Sequence, residues 1–382
     1  MARHDRRGLL FVTPWLRNGG IERVLQVTVP WLARRGYRCE VASWNVSSHL
    51  SGRPNPVLGT LQAAAVPVRV LRAYGRFKLF QRAVQVAGLA LRSRADLIVS
   101  YELEGNLVAL LARRLLLGRV HVMIQTHNAS SIHAEVGTSS AWLRLARRLY
   151  PSATMVVPSD SMAADSARFF GLDGSRVVTV HNPLAVASIR ERSKESCEPP
   201  VEVSRPFLVG CGRLVPMKGF YDLLDAFAEV RRERPLGLVI LGEGPERVNL
   251  RDRIRVLQIG DDVLMPGFAV NPWSYFARAS AFVLSSRYGE AFPMVLVEAM
   301  ACGIPVIASR CEWGPEEILE NGEDGLLFDP GDVDTLAQHI RTVLESPSVG
   351  SRLVQAATRR AEEFAEEIVM PEMERRIEAL LD

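Results

Sequence analysis

Val209-Gly210-Cys211-Gly212-Arg213-Leu214-Val215-Pro216-Met217-Lys218-Gly219-Phe220 is the stretch from which the architecture follows. An apolar run, Phe207 to Gly210, ends in glycines, two cations five residues apart come next, and Phe220, Leu223, Leu224, Phe227 and Val230 then recur at helical spacing. Strand, glycine-rich loop and helix in that order make the repeating unit of a parallel sheet covered by helices. Arg213 and Lys218 stand at the carboxyl end of such a strand, where Arg can grip two phosphate oxygens as a fork and Lys acts as a mobile point charge. The pair suits a diphosphate; a pair of surface cations is the alternative, at a helix start whose dipole disfavours them.

The same alternation extends in both directions. Upstream the apolar runs include Leu9 to Val12, Cys39 to Trp44, Leu97 to Tyr101, Val120 to Gln125 and Met155 to Pro158. Between the first two, Ile21, Val24, Leu25, Thr28 and Leu32 predict a helix opened by the loop Asn18-Gly19-Gly20, where glycines permit close backbone approach or simply a tight turn. Downstream the runs are Leu238 to Leu241, Ala281 to Ser285 and Pro305 to Ala308. Helices over Val333 to Ser346 and about 351 to 364 follow, and Met370 to Leu381 is a further amphipathic segment. A chain of 382 residues exceeds what one core usually serves. The polar, proline-ended stretch Ser188 to Pro200 places the linker within 185–205, between domains at 1–184 and 206–367.

Hydrophobic residues make up 48% and charged residues 23%, the balance of a soluble protein. Arg113-Arg114 interrupts the longest apolar run, and the apolar residues near the N-terminus are too few for a signal segment. The five cysteines, Cys39, Cys197, Cys211, Cys302 and Cys311, lack metal-ligand spacing, and their odd number argues against a full disulfide framework. These features suggest a reducing, cytoplasmic setting. Residues 1–182 carry 24 Lys and Arg against 10 Asp and Glu, whereas residues 183–382 carry 22 against 33. The basic half could face an anionic membrane or a phosphorylated acceptor, or be a solvated basic surface. The basic amphipathic stretch Trp142 to Leu149 favours a membrane or phosphorylated acceptor over a merely solvated surface. Nothing points to nucleic acid.

Two carboxylates flank the start of an apolar helix in Tyr288-Gly289-Glu290-Ala291-Phe292-Pro293-Met294-Val295-Leu296-Val297-Glu298. Pro293 suits the first helical position, which leaves Glu290 in the loop and Glu298 about five residues inside. An ionised Glu in an apolar helix needs a partner, and the helix start offers free N–H groups to an anion. Leu241-Gly242-Glu243-Gly244-Pro245-Glu246-Arg247 imitates a dinucleotide fingerprint but has Arg247 at the third glycine position and follows a later strand. A turn lining a nucleotide site fits it better. His127, after an apolar strand, is either a hydrogen-bonded loop residue or a ligand contact; His133 is a weaker candidate, and His4, His49, His121, His181 and His339 look structural or exposed. Asp332-Val333-Asp334 precedes a helix, so capping outweighs metal binding, and no metal site is expected.

These motifs, in this order and over nearly the whole chain, strongly resemble the family-4 retaining glycosyltransferases of the GT-B fold. Asn18-Gly19-Gly20-Ile21-Glu22-Arg23 resembles the family's first glycine loop, Gly212-Arg213-Leu214 with Lys218-Gly219 its phosphate-binding segment, and Glu290 to Glu298 its paired acids with seven residues between them. The resemblance implies an α/β protein of two Rossmann-like domains with parallel sheets facing across a cleft. The first would be the acceptor side, the second would bind the nucleotide sugar, and a C-terminal helix at about 368–382 would pack back on the first. By the same resemblance Arg213 and Lys218 hold the donor diphosphate, Glu298 the ribose hydroxyls and Glu290 a hydroxyl of the transferred sugar. Gly19 and Gly20 sit near phosphate and sugar, His127 near the sugar's far end, and Gly212, Gly242, Gly244, Ala291, Phe292 and Pro293 complete the donor site. No cofactor is implied beyond the nucleoside-diphosphate sugar itself, and the acceptor is a glycan or lipid-linked hydroxyl, reached from the cytoplasm or the inner membrane face. Ala291 stands where many members have Gly, and Trp313-Gly314-Pro315-Glu316 replaces a commoner Gly-Gly string.

Other readings share some of these residues. A glycosidase would need its carboxylates about 5 to 9.5 Å apart, whereas eight helical residues span about 12 Å. A sugar-nucleotide epimerase or hydrolase would share fold and diphosphate site, an NAD dehydrogenase fails on the fingerprint, and a binding protein that lost catalysis would have little reason to keep all four charged residues.

Overall fold

In the computed structural model, residues 7–17, 19–47, 49–50, 53–128, 138–198 and 206–382 are described. His4, Asn18, His133 and the 199–205 part of the expected linker lie outside them. The chain divides into two compact units, Met1–Pro183 with Glu366–Asp382, and Leu184–Ala365.

The first unit is built on the strands β1 (Gly8–Leu16), β2 (Arg38–Val46), β5 (Val68–Val70), β6 (Leu97–Tyr101), β7 (His121–Gln125), β8 (Thr154–Val157) and β9 (Val177–Thr179). All pair in parallel, in the order β5-β2-β1-β6-β7-β8-β9; the short ribbon of β3 (His49–Leu50) and β4 (Arg53–Pro54) stands apart. The inner strands are apolar and buried nearly end to end, because helices cover both faces of the sheet. Its core joins Leu9, Phe11, Leu25, Val29, Leu32 and Val99 to Val369, Met370, Met373 and Ile377 of the last helix, Glu366–Leu381.

The second unit carries β10 (Phe207–Cys211), β11 (Gly237–Leu241), β12 (Val263–Gly267), β13 (Ala281–Leu284), β14 (Val306–Ser309) and β15 (Leu326–Phe328), parallel in the order β12-β11-β10-β13-β14-β15. Leu208, Leu223, Phe227, Leu238, Val283 and Ile307 lie in its core. Each unit is thus a parallel Rossmann-like sheet, as the sequence led us to expect. The stretch read as linker is partly helical: Val186–Arg192 buries Val186 and Ile189 and belongs to the second unit. Among the described residues, no helix is long and apolar enough to cross a membrane.

In each sheet the order reverses beside the first strand, between β1 and β6 and between β10 and β13. Connections leave such neighbours toward opposite faces, which opens a crevice at their carboxyl ends, and α/β proteins bind ligands there.

Candidate functional site

In the second unit the crevice is flanked by Gly212–Gly219, after β10, and by 285–293, after β13. The structure brings Lys218 and Glu290 together across it. The Lys218 ammonium pairs with Glu290 Oε1, to which Ser286 Oγ also donates, and only 6% of Glu290 remains exposed. The loops are clamped at several points. Ser285 Oγ donates to the Lys218 carbonyl at 3.0 Å, the Arg287 N–H to the Met217 carbonyl at 2.8 Å, and the Arg287 guanidinium holds the buried Asp222 carboxylate through two bonds of 2.9 and 2.6 Å. Gly219 has φ +60°, and a Cβ on it would lie 1.9 Å from the Ser285 carbonyl oxygen, so glycine is required where the loops cross.

Arg213, in the same loop, is exposed and without a carboxylate in ion-pair reach among the described residues. Gly242 and Gly244 pack backbone to backbone: a Cβ on Gly242 would lie 1.9 Å from the Gly212 carbonyl oxygen, one on Gly244 2.3 Å from that of Leu214. They bind β11's loop to the segment that carries Arg213.

Glu298 is the fifth residue of helix Met294–Ala301 and fully buried. Its Oε2 accepts a hydrogen bond from Trp273 Nε1 at 3.1 Å, a partner that its own helix does not reveal. Pro293 is the residue before the helix, not its first, with ψ 92°, because its extended backbone turns the chain out of the 285–293 loop. Ala291 and Phe292 are buried, Phe292 edge-on to Phe364 at 5.3 Å. The Glu290 backbone bridges that of Trp313, which stands at φ +86° beside Gly314. Asp332 caps helix Val333–Glu345, its Oδ1 accepting from the Thr335 N–H at 3.0 Å. Among the described residues, no three His, Cys, Asp or Glu side chains converge as metal ligands.

In the first unit Gly19 is the residue before helix Gly20–Arg34. Its extended φ of −140° suits any residue, but a Cβ would lie 2.8 Å from Glu22 Oε2. Glu22 is buried and accepts from the Arg17 N–H at 3.1 Å, burial raising its pKa. His127 follows β7 and stacks on Tyr101, ring centroids 5.7 Å apart. Burial lowers the imidazole's pKa to about 4, so the ring is neutral near pH 7. Sequence reading passed over Glu102, which lies beside it; a carboxylate directly after the apolar run Leu97 to Tyr101 was the available signal.

Residues 19–183 match the model of the glycosyl transferase 4-like domain, and residues 192–360 that of the glycosyl transferases group 1. By fold and domain content the chain belongs to the GT-B glycosyltransferases, of the family-4-like kind. An exopolysaccharide phosphotransferase of Streptomyces coelicolor is 35% identical over 50% of this chain and 20% of its own length. The N-acetylgalactosamine-N,N'-diacetylbacillosaminyl-diphospho-undecaprenol 4-alpha-N-acetylgalactosaminyltransferase of Campylobacter jejuni is 29% identical over 56% of this chain and 58% of its own. The chain thus spans less than two thirds of these relatives. Anabaena HepE, solved in complex with UDP-glucose, shares the fold with a TM-score of 0.83 at 22% identity, over 98% of this chain and all of that one.

Proposed function

We propose that this protein is a retaining glycosyltransferase that moves a hexosyl unit from a nucleoside-diphosphate sugar to a hydroxyl of a surface glycan or lipid-linked acceptor. The observation that carries this reading is the buried Lys218–Glu290 pair at the crevice of the second sheet, with Arg213 in the same loop. A relative that acts on an undecaprenol-linked glycan and a fold neighbour that binds UDP-glucose support it.

On this reading Arg213 and Lys218 neutralise the diphosphate as the bond from its oxygen to the sugar's anomeric carbon breaks and the electron pair stays on phosphate. The acceptor oxygen bonds to the anomeric carbon on the same face, and its proton passes to the departing phosphate oxygen. Glu290 holds a sugar hydroxyl and Glu298 the ribose. On donor arrival Lys218 is shared between Glu290 and phosphate. Fixed cations do the work of a metal, so turnover continues in chelator.

The test is a screen of nucleoside-diphosphate sugars by thermal shift without metal, since a ligand that binds the folded state stabilises it. One donor should raise Tm, and Arg213→Ala should abolish the rise. With that donor Lys218→Ala should cut turnover by at least about 10²-fold, the loss of a transition-state charge partner. No shift with any donor, or near-normal turnover in the variant, overturns the assignment; loss of turnover in chelator overturns metal independence.

The acceptor reading extends to an anionic membrane as partner. Tyr74, Phe77 and Phe80 are exposed, and Lys78 stands 5.8 Å from the ring of Trp142 in the basic helix Ser140–Leu149. Aromatic rings beside clustered cations suit an anionic lipid interface. Sedimentation with anionic liposomes should fall as salt rises, and fall again in Phe77→Asp/Phe80→Asp. Absent or salt-independent binding leaves only a solvated basic surface.

A further inference from the structure

The first sheet repeats the construction of the second. Its crevice lies between β1 and β6, and the residues leaving those strands are Gly19 to Glu22 and Glu102. Glu102 opens helix Glu102–Leu115 at φ +61°, a left-handed backbone that side-chain-bearing residues rarely adopt, and is 95% buried. Strain of this kind persists where surrounding contacts enforce it, and it gathers at functional sites.

Those contacts are specific. Glu102 Oε1 accepts the His127 N–H at 3.1 Å, and Oε2 accepts Asn128 Nδ2 at 2.7 Å. Burial raises the Glu102 pKa, these two donors pull it back, and the charge of Glu22 raises it again. Four positions along the helix, buried Asn106 accepts from Ser100 Oγ at 2.8 Å and donates to the Gln125 carbonyl at 2.9 Å, which ties the helix start to the end of β7. The His127 ring is then set by Tyr101 beneath it, by Gln125 Oε1, 3.3 Å from Nε2, and by the Asn182 side chain, within hydrogen-bond reach of it. A tie between two loops alone would not call for a buried carboxylate on a strained backbone.

We propose that Glu102 is a positioning residue: by holding the His127 N–H and the Asn128 amide, it fixes the His127 imidazole beside the crevice of the first sheet. That His127 serves the transfer rests on the transferase reading above; its positioning by Glu102 does not.

Asn128 provides the test. Asn128→Asp sets a second carboxylate against Glu102 and should break that hold, whereas Glu102→Gln/Asn128→Asp restores a donor facing an acceptor and should re-form it. Two readouts apply to purified full-length protein. The first is the imidazole nitrogen spectrum of the seven histidines, in which the His127 signal should move in Asn128→Asp and return in the double variant. The second is transfer from the donor found in the screen, which should drop at least about tenfold in Asn128→Asp, given how steeply rates depend on placement. The double variant should recover most of that rate, and free nucleoside diphosphate should bind all three proteins alike. A His127 signal that ignores Asn128→Asp, or a double variant no better than the single, overturns the proposal. A signal that moves and returns in a protein with no transfer activity leaves the positioning intact and refutes the transferase.

Discussion

At the scale of the residue, Trp313 stands out beside the acidic pair. A bulky side chain at φ +86° is far from relaxed, and two features keep it there. Its backbone bridges Glu290, and a Cβ on the next residue, Gly314, would lie 2.6 Å from the Glu290 carbonyl oxygen and 2.7 Å from Pro293 Cδ, so the segment has no room to turn over. Trp313→Ala removes the indole and keeps the strained Cβ; Trp313→Gly removes both. Left-handed backbone at a residue other than glycine costs about 1–3 kcal/mol. The Gly variant should therefore melt about 2–4 °C above the Ala variant, the shift that about 1 kcal/mol makes in a domain of this size. Equal melting, or a more stable Ala variant, would mean the backbone there is unstrained. Two residues at positive φ, Trp313 and Glu102, border the candidate groups of the two units, and neither could be read from sequence, because backbone angles at a non-glycine leave no mark on composition.

At the scale of the element, what the sequence showed and what it hid follow from burial. The strands foreseen, from Leu9 to Val12 through Pro305 to Ala308, occupy the inner positions of both sheets, where two covered faces demand continuous apolar runs. In these two sheets the unforeseen strands, β5, β9, β12 and β15, are the four edges. Each is short or only half buried, as in Val177–Thr179 and Val263–Gly267, so its apolar signal is diluted. Helices read well where an amphipathic face recurs and poorly at their ends: Pro347–Glu363 begins before the expected start, and Val186–Arg192 hides in a polar stretch that looks like a tether. The candidate site was legible as residue types in loops after strands. Lys218 and Glu290 are 72 positions apart, and their contact depends on β10 lying next to β13, a strand order that local pattern does not encode.

At the scale of the whole molecule, the first unit is discontinuous in sequence. Helix Glu366–Leu381 buries Val369, Met370, Met373 and Ile377 in its core and is held by Arg35 to Glu374 at 2.9 Å and by Tyr37 Oη to Glu378 at 3.2 Å. Four buried apolar side chains at about 1.5–3 kcal/mol each rival the whole stability of a domain, about 5–15 kcal/mol. A chain ended at Ala365 should therefore lose the first unit's melting transition in calorimetry and keep the second unit's, with early proteolysis confined to residues before Pro183. Two unchanged transitions would show the helix to be dispensable.

That discontinuity also sets an order on synthesis. Every residue of the second unit is translated before Glu366, so the second unit can close while the first still shows water the apolar face of Leu25, Val29 and Leu32 that clusters with the last helix. The half of the protein that is begun first is finished last, and in the interval it is the half a chaperone would need to shield.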